Sequence, residues 1–103
     1  MKRRTRNSSP DLPKAGAALW RRLGAALTGD IFDRFDSFGD ALGAALDGFS
    51  PDELRALLDL IDGPLAGDAQ AAWQASGAEI GFGGARDARM ALMMLAEAAK
   101  ARL

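Results

Sequence analysis

Apolar residues recur at helical spacing along most of the chain, and glycine, proline or capping residues separate the repeats. In an amphipathic helix, apolar positions fall every three to four residues and form one buried stripe. The pattern predicts five helices, at about residues 15–28, 30–47, 51–62, 68–76 and 85–102.

Each predicted helix has a stripe that we expect to be buried, although the fourth has only Trp73 as a large anchor. The first four stripes comprise Leu19, Trp20, Leu23, Leu27; Ile31, Phe35, Phe38, Leu42, Ala45, Leu46; Leu54, Leu57, Leu58, Ile61; and Trp73. In the last helix the stripe is Ala88, Leu92, Leu95 and Ala99, with Met90 and Met94 beside it.

Boundary signals are clearest around the third and fourth helices. Ser50 and Glu53 have the spacing of a capping box, with Pro51 at the first helical position, and Gly63 follows the helix. The fourth helix has Asp68 as its expected cap and Gly77 after its end. Residues 78–84 are too rich in glycine for a helix, so we predict a loop in which Phe82 plugs the core.

Two glycines interrupt the second predicted helix. Gly39 and Gly43 are four residues apart and therefore share one helix face. Each costs about 1 kcal/mol of helix propensity relative to alanine. Their placement predicts a groove in which the backbone of another helix comes close.

Composition supports an all-α fold. The chain of 103 residues has no Val and no Tyr, and its only threonines are Thr5 and Thr28, so strand formers are scarce. We expect a compact bundle of four to five short helices in a single domain, residues 15–103, preceded by a flexible, disordered basic N-terminal tail, residues 1–14.

The absence of Cys and His excludes disulfides, thiolate chemistry and catalysis based on histidine. The acidic pairs Asp52/Glu53 and Asp59/Asp62 have no apolar cleft or nucleophile near them in the sequence. Ligand spacing typical of a calcium loop is also missing. We therefore expect a protein that is not an enzyme and that holds no metal or cofactor.

The N-terminus does not resemble a secretory signal. Basic residues at its start are followed by Pro10, Asp11 and Pro13, and no apolar run is long enough for a signal or a membrane span. An organellar transit peptide is a weaker alternative. We expect a cytoplasmic protein without a membrane segment.

Charge is sorted along the sequence. Residues 1–28 contain seven Lys and Arg against one acid, residues 29–80 contain eleven Asp and Glu against two bases, and residues 81–103 have a net charge of +2. A field of one sign attracts a partner of the opposite sign. The acidic middle predicts a protein partner with a basic surface and makes nucleic acid an unlikely partner.

Four aspartates within the acidic middle have helical spacing: Asp30, Asp33, Asp36 and Asp40 fall near one face if residues 30–47 form one helix. This row is either a docking face for Lys and Arg or a solvated helix face. The principal candidates for partner binding are Asp33, Asp36, Asp40 and Asp59. Further candidates are Asp47, Asp62, Glu79 and Trp73, although a lone Trp is more often a core anchor.

The second half of the chain, about residues 50–103, resembles small bacterial immunity proteins that protect cells against contact-dependent growth inhibition and related polymorphic toxins. The segments that carry the likeness are a Leu-rich helix with an internal Asp, a Trp-containing helix with its Ser-Gly-Ala-Glu turn, and a last helix with an Arg among apolar residues: 57–61, 72–82 and 88–92. The resemblance implies a helical, cytoplasmic protein that binds and blocks a cognate toxin domain.

Three functions remain open from the sequence. The first is an immunity protein that neutralises a toxin through its acidic helical surface. A small helical adaptor or regulatory subunit of a larger assembly would instead pack a partner helix with Gly39, Gly43 and the methionines. A protein associated with nucleic acid would use the basic tail. The sequence leaves the oligomeric state open.

Overall fold

The computed structural model of the protein describes residues 12–103, and helices are the only regular elements in that part of the chain. Five helices have eight residues or more, and one is a single four-residue turn, so the predicted all-α bundle is confirmed. The elements are α1 (Lys14–Ala25), α2 (Ile31–Arg34), α3 (Phe38–Leu46), α4 (Pro51–Asp62), α5 (Ala69–Ser76) and α6 (Ala85–Ala101).

Helix α6 is the centre of the packing. It contacts α3, α4 and α5, while α1 covers α4 and α5 from the other side. The predicted stripe of α6 is buried as expected, because these small and medium side chains let three helices approach it. The buried stripe consists of Ala88, Ala91, Leu92, Leu95 and Ala99.

An aromatic cluster fills the space where α1, α5 and α6 meet. The ring centroids of Trp20 and Trp73 are 5.2 Å apart, and Phe82 lies 5.4 Å from Trp73. Both indoles are buried and both donate a hydrogen bond across helices: Trp20 to the Ala72 carbonyl at 2.7 Å and Trp73 to the Ala88 carbonyl at 2.9 Å. The two bonds satisfy the only polar atoms of the indoles.

The predicted residues that begin and end α4 and α5 are confirmed. Ser50 accepts from the Glu53 N–H while Glu53 accepts from the Ser50 N–H, which completes the capping box. Asp68 caps α5 by accepting from the Ala71 N–H, and Gly77 ends it with a φ of 76°, a left-handed conformation that favours glycine. The loop at 78–84 contains no helix.

The predicted helix over residues 30–47 is wrong, because the chain breaks it into α2 and α3. Phe35 is extended, with φ −130° and ψ 145°, and Ser37 begins α3 by accepting a hydrogen bond from the Asp40 N–H at 3.1 Å. A serine that caps a new helix competes with continuation of the old one. The capping capacity of Ser37 outweighs the continuous apolar stripe.

Smaller corrections concern the ends of the predicted elements. Helix α1 stops at Ala25, and the following turn buries Leu27 without continuing the helix to residue 28. Leu60 is buried, although it was not in the predicted stripe, and Leu58 is half-buried. Of the predicted tail 1–14, residues 1–11 lie outside the described residues, whereas Leu12 packs against the core and Pro13 precedes α1.

Among the glycines of residues 12–103, the tightest contact between two helices lies at Gly24, not at Gly39 and Gly43. A Cβ at Gly24 would fall 2.6 Å from the carbonyl carbon of Ser76 and closer still to its oxygen, so only glycine fits between α1 and α5. Gly39 faces the end of the Met94 side chain, and the Gly43 carbonyl accepts from Arg102 at 2.7 Å. The Gly43 end of the predicted groove is thus occupied by Arg102, whereas Gly39 remains exposed.

We predict that Gly24→Ala lowers the free energy of unfolding by about 3 kcal/mol, because overpacking against backbone forces α1 and α5 apart. Urea denaturation followed by circular dichroism measures the loss. Gly48→Ala is the matched control, since a Cβ there meets nothing within 4 Å. Its effect should stay within about 1 kcal/mol. Equal effects of the two substitutions would contradict the close approach at Gly24.

We predict that Trp73→Ala costs about 3–5 kcal/mol, as large-to-small changes in a core do, because Trp73 is only 2% exposed and touches Trp20 and Phe82. Trp73→Phe keeps most of the ring volume but removes the indole hydrogen bond to the Ala88 carbonyl. We expect that variant to lose about 1–3 kcal/mol. Urea denaturation of both variants checks the order; a loss below about 1 kcal/mol for the alanine variant would contradict a core role.

Candidate protein-binding site

The structure separates the acidic residues into those bound to other groups of the chain and those that are free. Asp47 pairs with Arg102 at 2.8 Å, Asp52 with Arg55 at 3.1 Å, and Glu53 with Arg22 at 2.6 Å. Asp30 accepts from the Thr28 hydroxyl and lies 3.7 Å from Arg34. These carboxylates already have basic or polar partners within the fold.

The four principal candidates belong to the free group. Asp33, Asp36, Asp40 and Asp59 are all exposed. None of their carboxylates makes a hydrogen bond or ion pair with another residue in the range 12–103. Asp62 is exposed and unpaired in the same way. Their charges remain available to a partner.

The predicted row of acids on one helix face does not exist, because the break at Phe35–Ser37 divides it. Asp33 lies in the first turn of α2, Asp36 in the connection, and Asp40 in the first turn of α3. The three therefore follow one short, bent stretch of chain. Asp59 belongs to a different helix, α4, which packs chiefly against α6 and α1.

Three of the further candidates have roles inside the fold. Trp73 is a core residue, so it presents no surface to a partner. Glu79 accepts a hydrogen bond from the Gly29 N–H at 2.7 Å, and its own N–H donates to the Leu27 carbonyl at 2.9 Å. It thereby joins the loop before α6 to the turn after α1. Asp47 joins α3 to the end of α6 through Arg102.

Arg22 forms the most extensive polar contact between α1 and α4. Its guanidinium donates to both Glu53 oxygens, at 2.6 and 3.3 Å, and to the Gly48 carbonyl at 2.7 Å. It also lies 4.1 Å from the centre of the Phe49 ring. The Arg22 guanidinium and the Ser50 N–H together hold the pKa of Glu53 below its ordinary value of 4.5.

A second surface lies on the outer side of α6 and includes Gly39 and the methionines, which the sequence indicated as a possible contact for a partner helix. Met90, Met93 and Met94 are 55%, 61% and 42% exposed, and with Gly39 and Glu97 they line an open groove of about 420 Å³. Met90 and Met94 were expected beside the buried stripe. Because α6 is covered on one side only, the positions opposite that stripe face outwards. In the sequence, this outer surface is indicated by Met90 and Met93, which fall on the helix face opposite the predicted stripe.

Two other kinds of site find no support in the described part of the chain. Within residues 12–103, no three acidic side chains are grouped so that they could hold a metal ion. None of the helices in that range has the length and apolar character needed to cross a membrane.

No protein-family model, curated protein or solved structure matched the chain.

We predict that the stabilisation from Glu53 depends on pH. Since its folded pKa is lowered, the contribution is fully present above about 4.5 and is lost as the pH falls through the folded pKa. The unfolding free energy of the parent should therefore exceed that of Glu53→Gln at pH 7, and this difference should shrink below pH 4.5. Urea denaturation between pH 7 and 3 measures it.

Arg22→Gln provides the control, because it removes the largest cause of the shift. In that background, Glu53→Gln should change stability less and with a weaker dependence on pH. If the Glu53→Gln effect is identical with and without Arg22, the contact does not lower the pKa of Glu53.

Proposed function

We propose that this protein is a non-enzymatic, cytoplasmic immunity protein that binds and neutralises a toxin domain through the acidic segment 33–40. The main observation that supports the proposal is that some carboxylates are paired within the fold while others are free. Asp33, Asp36 and Asp40 are exposed and unpaired within residues 12–103, whereas their neighbours Asp30 and Asp47 are engaged. Their charges do not serve the fold through any described bond.

Three free carboxylates within eight residues make this stretch strongly negative, and like charges close together carry a small repulsive cost in the isolated protein. A basic partner surface would relieve it. Charged groups at the rim of an interface act mainly by speeding association and excluding wrong partners. Such an arrangement suits a protein that must capture a basic toxin domain before that domain acts.

The likeness to immunity proteins over residues 50–103 supports the same function from different residues. Its segments include α5 and the following loop, which the structure uses for packing: Trp73 anchors the core and Glu79 joins two turns. We therefore propose that the resembling half provides the scaffold and the acidic segment 33–40 provides the contact. Asp59 and Asp62 on α4 would add to the negative field at longer range.

The adaptor alternative loses one of its supports. It required a partner helix against both Gly39 and Gly43, but Arg102 already donates to the Gly43 carbonyl, so only Gly39 remains exposed beside the methionines. The basic tail, on which association with nucleic acid would depend, falls largely on residues 1–11, outside the described residues. Toxin binding is the function that the exposed acids support best.

We predict that replacing Asp33, Asp36 and Asp40 together by Asn slows association with the toxin domain about tenfold, the scale of electrostatic steering. The toxin candidate is the product of the gene directly upstream. Surface plasmon resonance at low and high salt measures the rate, and the difference between parent and variant should narrow as salt rises. Growth of cells expressing the toxin domain reports protection.

The matched control adds the same three units of charge elsewhere, with Ala18→Lys, Gln70→Lys and Gln74→Lys at exposed positions of α1 and α5. If the effect is specific to the acidic segment 33–40, this control should associate with the toxin domain at nearly the parental rate. Equal slowing by both triple variants would assign the effect to net charge alone. Full protection and unchanged association in the Asn variant would overturn the proposed contact.

A further inference from the structure

We propose that the outer stripe of α6 is a self-association surface on which two copies of the chain pair antiparallel about a twofold axis. The stripe consists of Arg86, Met90, Met93 and Glu97, all exposed. Their spacing of four, three and four residues keeps them on one helix face, opposite the buried alanines and leucines. This inference does not depend on the proposed toxin binding.

The methionines supply the apolar centre of the stripe. Met90 and Met93 are 55% and 61% exposed, and large exposed apolar side chains on a helix are typical of a contact surface. Methionine is flexible and polarisable, so it adapts well to an opposing helix. The groove of about 420 Å³ beside α3 gives a second helix room to approach the methionines.

The charges identify a second copy as the occupant. Arg86 lies four residues before Met90, and Glu97 lies four residues after Met93. A twofold axis midway between the two methionines therefore places Met90 opposite Met93, and Arg86 opposite Glu97, of the second copy. The stripe is complementary to itself only in the antiparallel direction, because parallel pairing would oppose Arg86 with Arg86 and Glu97 with Glu97.

The charges beside the stripe are compatible with this pairing. Antiparallel packing places Asp87 near Met94, and Arg89 near Ala96, of the second copy, so neither of these two charges opposes a like charge. Arg86 has no ion pair with another residue in the range 12–103, and Glu97 has only an exposed contact with Lys100 at 3.6 Å. Both side chains can therefore turn towards the other copy.

The size of the stripe sets the expected strength. Helix α6 has 17 residues, and one such pair of helices gives an interface at the small end of those seen in specific complexes. We expect a reversible dimer with a dissociation constant between about 10 µM and 1 mM. Sedimentation velocity on the full chain, from about 5 µM to a few mM, should show the dimer appear with concentration.

The decisive test uses charge reversal. Arg86→Glu alone opposes two acids at each end of the stripe, and Glu97→Arg alone opposes two arginines, so each variant should dimerise at least tenfold more weakly than the parent. An equimolar mixture of the two variants restores both pairs and should form a heterodimer of parental strength. Both positions are exposed, so the variants should keep the parent's circular dichroism spectrum.

Two further measurements complete the test. Met90→Asp should abolish the dimer, whereas Ala56→Glu, on the exposed side of α4, should leave it unchanged. A parent that remains monomeric to the highest concentration overturns the proposal. So does a dimer that survives Met90→Asp, and so does a mixture of the charge variants that remains as weak as each variant alone.

Discussion

The fold depends on how closely α5 is held between α1 and α6. On one side Gly24 lets α1 approach the backbone at Ser76, and the Trp20 indole donates to the Ala72 carbonyl. On the other side the Trp73 indole donates to the Ala88 carbonyl. A helix of eight residues, rich in alanine, buries little apolar area of its own. Two cross-helix bonds and one close contact compensate for that small area.

The elements that the sequence predicted well are those whose ends have local signals. The capping box at Ser50, the cap at Asp68 and the glycine at Gly77 each act within a few residues, so α4 and α5 begin and end where expected. The break at Phe35–Ser37 was missed because the apolar stripe of residues 30–47 continues through it. There the side chain of Ser37 competes with helix propagation, and spacing alone does not show which of the two prevails.

The candidate site was likewise predicted from the sequence only in part. Exposure of Asp33, Asp36, Asp40 and Asp59 followed from their placement outside the apolar stripes. Which acids would be engaged did not follow, because Asp47 meets Arg102 and Glu53 meets Arg22 only when distant segments pack. Gly24 was missed for the same reason: nothing around it in the sequence indicates that Ser76 lies against it. Contacts between distant segments are a property of the tertiary fold.

The two proposed surfaces would use different physical interactions. The acidic segment 33–40 would attract by charge over distances up to the screening length of about 8 Å at physiological salt, so in the proposed function it would set how fast a basic partner arrives. The outer stripe of α6 would act only on contact, because its binding free energy comes from removing apolar area from water. Self-association at the stripe buries Met90 and Met93 and is not screened by salt, except at its terminal Arg86–Glu97 pairs. The two proposed interactions should therefore differ in their dependence on salt. Raising the salt concentration should slow association with a basic partner far more than it weakens the dimer.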